Sequence, residues 1–388
     1  MKFETKVIHV GQEPEKAAGS IIPPIYPSSV YTIDDIGQEK SYMYSRYANP
    51  TRDILEECLA AAENAKYCMT FASGVSAASA VLSLLKPDDH IVATRDLYGG
   101  TYKLFEEIYS KQNITASYVC GNDCCNFEDA INENTKLVWI ESPTNPLLKL
   151  IDIKKTAQLC KEKGILLCVD NTFATPYLQN PLELGADVII HSTTKYINGH
   201  SDVVGGAVLT NDDELYEKIN QYQIVVGAVP SAFDSWLILR GLKTLNLRME
   251  RHCRNAQRVA EFLVNNPEVE QVFYPGLKSN PYYNIALSQM RDFGGMVSFK
   301  IKGGKQQVDD FISALKLIKR TVSLGGIESL ICSPFSTTHA SLPLEMKDEL
   351  GITENLVRIS IGVEHIDDIL EDIENAFSYM KKMQLTRS

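Results

Sequence analysis

The chain delivers reactive side chains at the ends of two short apolar runs. Ile165 to Val169 leads into Asp170, and Asp187 to Ile190 leads into His191, Ser192, Thr193, Thr194 and Lys195. Such runs between Gly or Pro punctuation read as buried parallel strands, and ligands of such sheets sit beyond the carboxyl ends of the strands. Asp170 and Lys195 are therefore expected close together. A carboxylate and an amine at one sheet edge, with hydroxyls just before the amine, suit pyridoxal phosphate: the lysine would form the Schiff base and the aspartate would keep the pyridine nitrogen protonated. The same residues could also be a surface ion pair flanked by two loop hydroxyls, so the surrounding elements have to separate the two readings.

Those elements alternate. Thr51 to Ala65 carries apolar residues at helical spacing, and Ser73-Gly74 within Phe71 to Leu85 opens a helix of small residues. A glycine there lets backbone N–H groups approach a phosphate, with the helix dipole adding to the attraction. Next come HIVAT, a helix over Tyr102 to Lys111, ITASYVC, a helix over Asn126 to Asn132, LVWIES and a helix over Ile153 to Lys163. This βαβ rhythm predicts a mainly parallel sheet with helices on both faces. Two loops interrupt it at the functional edge: Tyr98-Gly99-Gly100-Thr101, where a ring could stack on a planar cofactor, and Glu141 to Pro146, whose prolines hold Asn145 outside the strand end. No GxGxxG follows a strand, which counts against dinucleotide binding.

Upstream, Pro23, Pro24 and Pro27 interrupt regular structure, so residues 1–50 read as an extended arm that ends in MYSRYANPTR. Arg46 beside Tyr44 could bind a phosphate or simply stack in solvent. Downstream, Val203 to Leu209 reads as a strand, and about Ala232 to Leu263 as one long charged helix linking residues 51–250 to a smaller α/β domain over 251–388. Within that domain, MVSFKI and VRISIG are strands, while Gln306 to Leu317 and the stretch from His365 are helices. Arg358 inside VRISIG needs an anionic partner, either a substrate α-carboxylate or an internal carboxylate.

With 388 residues, the chain is too long for one simple core, and 44% hydrophobic with 22% charged residues describes a globular protein. A net charge of -11 disfavours nucleic acid and anionic membranes. No apolar run suits a membrane span and the first ten residues do not read as a signal peptide, so a cytoplasmic location is expected. Nine cysteines, an odd number, fit reduced thiols. Cys120, Cys124 and Cys125 lack metal-site spacing, and no metal is expected.

Taken together, YSRxxNPTR, FASG, YGGT, ESPTNP, VDNTF, STTKYxNGHSD, SLGGxESL, TTHAS and LVRISIG resemble the Cys/Met-metabolism family of fold-type I pyridoxal-phosphate enzymes, near its cystathionine γ-lyase and methionine γ-lyase branch. The resemblance covers nearly the whole chain in order. It implies a doubly wound large domain, a smaller C-terminal α/β domain and a homotetramer of two active dimers. It also implies that Lys195 holds the cofactor, that Asp170 faces its ring nitrogen with Thr172 nearby, and that Tyr98 stacks on the ring. Gly74 and Val75 match backbone donors to the phosphate, Ser192 and Thr194 its hydroxyl donors, and Glu141 an acid behind the cofactor. Tyr44 and Arg46 match a pair that reaches the neighbouring subunit's phosphate. Arg358, Asn145 and Ser323 match the carboxylate clamp, with Thr338 also near the substrate.

The implied chemistry is removal of the Cα proton by Lys195, proton transfers that make Cβ acidic, and departure of a γ-substituent. Tyr98 would act as acid or base at the leaving group if cationic surroundings lower its pKa. Elimination gives a 2-oxoacid, ammonia and a thiol. In the trapping alternative, a thiol joins an acylated homoserine. Cystathionine-cleaving relatives commonly have an acid where this chain has Met43, an arginine at Lys103 and an acid at Val322. Methionine γ-lyases have an apolar pocket there, although they typically carry cysteine at Gly100. The apolar Met43 and Val322 predict a C–S lyase acting on methionine, homocysteine or cysteine at least as well as on cystathionine.

Overall fold

The computed structural model describes residues 1–32, 42–121, 124–340 and 342–387, with the Cys124 side chain outside the described set. Seven strands form the larger sheet: β1 (Tyr67–Phe71), β2 (His90–Thr94), β3 (Thr115–Val119), β4 (Thr135–Glu141), β5 (Leu166–Asp170), β6 (Val188–His191) and β7 (Gly206–Thr210). Their order is β1-β7-β6-β5-β4-β2-β3. Only β7 runs antiparallel to its neighbours. The helices of this part are α1 (Phe3–His9), α2 (Pro50–Glu63), α3 (Gly74–Leu82), α4 (Gly99–Lys103), α5 (Cys124–Ala130), α6 (Ile153–Lys163), α7 (Thr175–Leu178), α8 (Asp213–Val226) and α9 (Ala232–Leu242). Apolar side chains on the two faces of the sheet enter separate clusters: Met69, Ile91 and Trp139 pack with α3 residues, while Val138, Leu167 and Val169 pack with α6 residues. The inner strands are largely buried on both faces, as continuous apolar runs require, while the edge strand β3 is at most half-buried.

Helix α10 (Leu245–Val264) leads to a second sheet of five strands, β8 (Val269–Phe273), β9 (Met296–Ile301), β10 (Lys319–Arg320), β11 (Leu330–Cys332) and β12 (Leu356–Ser360). Their order is β10-β11-β12-β9-β8, antiparallel except for β10 beside β11. Helices α11 (Tyr283–Gln289), α12 (Lys305–Ala314), α13 (Leu344–Leu350) and α14 (Ile366–Arg387) complete this part. Phe299, Val357 and Ile359 of the sheet close a core with Phe311 of α12 and Phe377 of α14.

Three expectations need correction. The start of the expected arm is helical and packed, not extended: α1 buries Val7 in the same cluster as Leu55 and Leu59 of α2. Seven residues with one buried side chain are too few for a periodic signal. The expected arm's residues 33–41 lie outside the described set. The helix over Ala232 to Leu263 is two helices, broken at Lys243 and Thr244, where Gly241 O accepts from Thr244 N, Thr244 Oγ1 and Arg248 Nη2. The Tyr102 to Lys111 helix starts earlier as α4, widens over Leu104–Ile108 and tightens over Tyr109–Gln112.

Among the described residues, no helix is long and apolar enough to cross a membrane. Cys58, Cys68, Cys168, Cys253 and Cys332 are buried thiols, whereas Cys120 and Cys125 are exposed.

Candidate active site

Parallel pairing brings the strand ends to one edge in register, Glu141 opposite Asp170 and Asp170 opposite Ile190. Beyond that edge lies a cavity of about 280 Å³. Asp170, Thr172, Ser192, Thr194 and Lys195 line it from β5, β6 and the loops that follow. Gly74 and Val75 enter from the start of α3, Tyr98 from the loop after β2, and Glu141 and Asn145 from the end of β4 and the loop after it. Val322, Thr338 and Arg358 close it from the other sheet. Sequence reasoning missed Ser73, Thr101, Phe173, Val204 and Leu324 on the wall. Ser73 was legible as the helix cap it is, its Oγ accepting from Ser76 N at 3.1 Å. The apolar wall residues carry no chemical signature.

Lys195 Nζ donates to Ser323 Oγ at 3.1 Å. Burial, and then the Arg358 charge, lower its pKa to about 8. Ser323, expected at the carboxylate clamp, accepts from the amine with its hydroxyl, while its carbonyl lies 3.5 Å from Arg358 Nη2. Burial pushes the Asp170 carboxyl upward, against hydrogen bonds from the Thr172 hydroxyl and N–H. The Thr172 N–H lies 3.0 Å from Asp170 Oδ1, and Thr172 Oγ1 in turn accepts from Ser192 N at 2.9 Å. Burial, and then the Asp170 charge, raise Glu141 well above the usual carboxyl range. Glu141 Oε2 accepts from Tyr98 N at 2.9 Å, so this buried acid fixes the loop that carries the ring.

Arg358 is 2% exposed, yet no carboxylate pairs with it among the described residues. Its Nη1 donates to Asn145 Oδ1 at 2.7 Å and its Nε has no partner. A buried guanidinium on a cavity wall, bonded to the neutral oxygens of Asn145, Val322 and Ser323, favours the substrate-carboxylate reading over the internal ion pair. Beside it, His339 has its pKa lowered to about 4, first by burial and then by the Arg358 charge, and its Nδ1 lies 2.9 Å from Thr338 Oγ1.

Beneath the site, Glu63 Oε1 accepts from His191 Nε2 at 2.5 Å and from Asn171 Nδ2 at 2.8 Å. Gln179 Nε2 donates to Asn171 Oδ1 and to Ser142 O, both at 2.9 Å. This buried network ties the end of β5 to the Glu141–Pro146 loop. Its members lie far apart in sequence, so no local pattern showed it.

Tyr44, Arg46, Met43 and Lys103 are not on the cavity wall of their own chain. Arg46 sits over the Tyr47 ring at 4.6 Å and donates to Ile224 O. Tyr44 and Met43 are exposed, as is Lys103 at the end of α4.

The cavity suits pyridoxal phosphate. A Cβ on Gly74 would lie 2.9 Å from Ser192 Cβ, so the cradle between the α3 N-terminus and that hydroxyl exists only with glycine. The first N–H groups of a helix have no intrahelical acceptor and can take a phosphate. Asp170 is a buried carboxyl without a cationic hydrogen-bond donor, the need that a protonated ring nitrogen meets. The nearby amine of Lys195 can reach an aldehyde.

Comparison with known proteins agrees with this geometry. The chain is 48% identical over 376 residues to a cystathionine gamma-lyase of Dictyostelium discoideum, with 97% of each chain covered. It is 44% identical over 376 residues to a cystathionine beta-lyase of Coxiella burnetii, covering 96% of this chain and 97% of that one. A solved structure of cystathionine gamma-lyase from Lactobacillus plantarum complexed with L-serine superposes with a TM-score of 0.95 at 41% identity, covering 98% of this chain and all of the other. The family model described as Cys/Met metabolism PLP-dependent enzyme matches residues 4–378, and the chain therefore belongs to that family of pyridoxal-phosphate enzymes.

Proposed function

We propose that the protein is a carbon–sulfur lyase of sulfur amino acids, releasing a 2-oxoacid, ammonia and a thiol. The observation that carries this is one cavity holding an amine with a pKa of about 8, a buried carboxyl and a buried guanidinium with no carboxylate partner among the described residues. When bound, pyridoxal phosphate supplies an electron sink that makes the protons on the substrate's α and β carbons acidic. The chain's own residues do the rest. Arg358 and Asn145 hold the α-carboxylate and so fix which Cα bond faces Lys195. The lysine amine, easier to deprotonate because its pKa is lowered, takes the Cα proton and, once it has passed that proton on, a proton from Cβ. Ser323 holds the amine between these tasks. Asp170 keeps the ring nitrogen protonated, and Glu141 holds the Tyr98 loop so that the phenol reaches the leaving sulfur.

The relatives named as cystathionine lyases support C–S cleavage. The wall beyond the reactive centre supports methionine, homocysteine or cysteine being cleaved at least as well as cystathionine. Val322, Val204 and Thr338 carry no charge to match a distal ammonium, which costs binding when left unpaired. Measuring kcat/KM on L-methionine and L-cystathionine side by side tests this, and a strong preference for cystathionine refutes the apolar-wall argument. Product analysis with O-acetylhomoserine and a thiol separates elimination from γ-replacement.

The assembly in this reading is a homotetramer of two active dimers, in which Tyr44 and Arg46 of one subunit serve the phosphate of the next. Exposed Tyr44 and Arg46's absence from its own cavity support that role. The chain divides into a segment over 1–50, a large domain over 51–250 and a small domain over 251–388, with α10 spanning the junction. Buried thiols support a reducing compartment, the cytoplasm.

A further inference from the structure

Arg248 on α10 is 6% exposed, and burial pulls its pKa down to about 10 with no acidic neighbour contributing. A guanidinium taken out of water without a counter-charge is costly, and it persists only where its donors are well used. Here they go to neutral oxygens. Nη1 donates to Tyr196 O at 2.6 Å, Nη2 to Ile197 O at 3.1 Å and Gly241 O at 2.9 Å, and Nε to Thr244 Oγ1 at 3.1 Å.

Tyr196 and Ile197 directly follow Lys195. The turn that carries the lysine closes through Gly199 N donating to Lys195 O at 2.8 Å. It ends at Gly199, whose φ is +72 and where a Cβ would overlap Arg248 Nη1. Carbonyls at the end of such a turn have no following N–H to accept from, and the guanidinium supplies it. One helical turn further along α10, the His252 ring packs edge-on to Tyr196, with centroids 5.1 Å apart. His252 Nδ1 donates to Ile361 O at 2.6 Å. Ile361 lies just beyond β12, the strand that carries Arg358.

We propose that Arg248 is a positioning residue for the Lys195 amine. It caps the turn behind the lysine and, with His252, makes α10 the strut that fixes that amine relative to the carboxylate-binding Arg358. The inference rests on Lys195 holding the cofactor and Arg358 the carboxylate, and not on which sulfur amino acid is cleaved.

The test compares the cofactor-loaded parent with Arg248→Lys, Arg248→Ala and Thr244→Val, the last removing the Nε acceptor together with that hydroxyl's hydrogen bond to Gly241 O. Melting temperature, the pH midpoint of the visible cofactor band, kcat and KM are read separately. Arg248→Lys keeps a charge but loses the fork. It is expected to melt within about 4 °C of the parent, to move the pH midpoint by about half a unit or more, and to lower kcat about tenfold with KM within about threefold. Added guanidinium is expected to restore part of the kcat of Arg248→Ala. A merely structural arginine gives the opposite pattern, a lower melting temperature with midpoint and kcat unchanged, and overturns the proposal. If the arginine variants do not fold, Thr244→Val decides: a midpoint displaced in the same direction supports the proposal, and parent values refute it. A parent lacking any visible band overturns the cofactor assignment instead, so the two failures are distinct.

Discussion

Lys195 costs the cofactor-free fold stability, and the pH dependence of that cost has a definite sign. The unfolded lysine holds its proton up to about its ordinary pKa of 10.5, the folded one only to about 8. Between those values the unfolded state binds more protons, so this group's contribution to stability improves as pH rises; below about 8 the penalty is complete. In the cofactor-free protein, Lys195→Met is therefore expected to melt above the parent near neutral pH. The gap should narrow towards about pH 10.5, and melting curves across that range check it. The loaded parent should show a visible band that Lys195→Ala lacks. Arg358→Lys should raise KM for amino-acid substrates about 10- to 100-fold with a smaller effect on kcat, because a point charge replaces a two-pronged donor. Steady-state kinetics on one substrate suffice. Lys195, Asp170 and Arg358 were legible because a strand end or a strand interior is a costly place for a charge. The role of Ser323 at the amine was not, since a serine in a glycine-rich loop has many uses.

The elements that matter most are those whose termini face the cavity. The α3 N-terminus comes within contact distance of the Ser192 side chain only because residue 74 is glycine. Gly74→Ala is expected to weaken pyridoxal-phosphate binding about tenfold or more and, because the new Cβ must push the Ser192 backbone aside, to lower the melting temperature of the cofactor-free protein by several degrees. Titrating the cofactor-free variant by absorbance reads the first quantity and calorimetry the second. Strand order and the parallel edge could be read from the alternation of apolar runs and helical spacing, which is why the residues at the ends of β4, β5 and β6 were found. The break between α9 and α10 could not. The residues around it meet the turn after Lys195, more than 40 positions away in sequence, Gly241 against Asn198 and Arg248 on Tyr196 O and Ile197 O. Nor could α1, whose stability comes from α2 beneath it and not from its own seven residues.

At the scale of the whole molecule, Tyr44 and Arg46 lie off the cavity that their own chain builds, on a loop held from inside. Arg52, 2% exposed, donates to Ser45 O at 2.8 Å and Tyr47 O at 2.7 Å, so the loop keeps its shape while Arg46 stays near the surface. A rigid loop that keeps a half-buried cation off its own chain's cavity, beside an exposed tyrosine, suits delivery to a second copy. If Arg46 serves the neighbour's phosphate, Arg46→Ala and Lys195→Ala each disable every site in their own homo-oligomer, but in different subunits' contributions. In a mixed dimer, one site draws its lysine from the Arg46→Ala chain and its arginine from the Lys195→Ala chain, and is whole. The other site lacks both. Unfolding the two variants together in equal amounts and refolding them with pyridoxal phosphate should therefore recover up to about a quarter of parent activity, from two variants that are nearly inactive when refolded alone. Recovery no greater than the average of the separate variants would place Arg46 at its own chain's site and remove the reason for an obligate dimer.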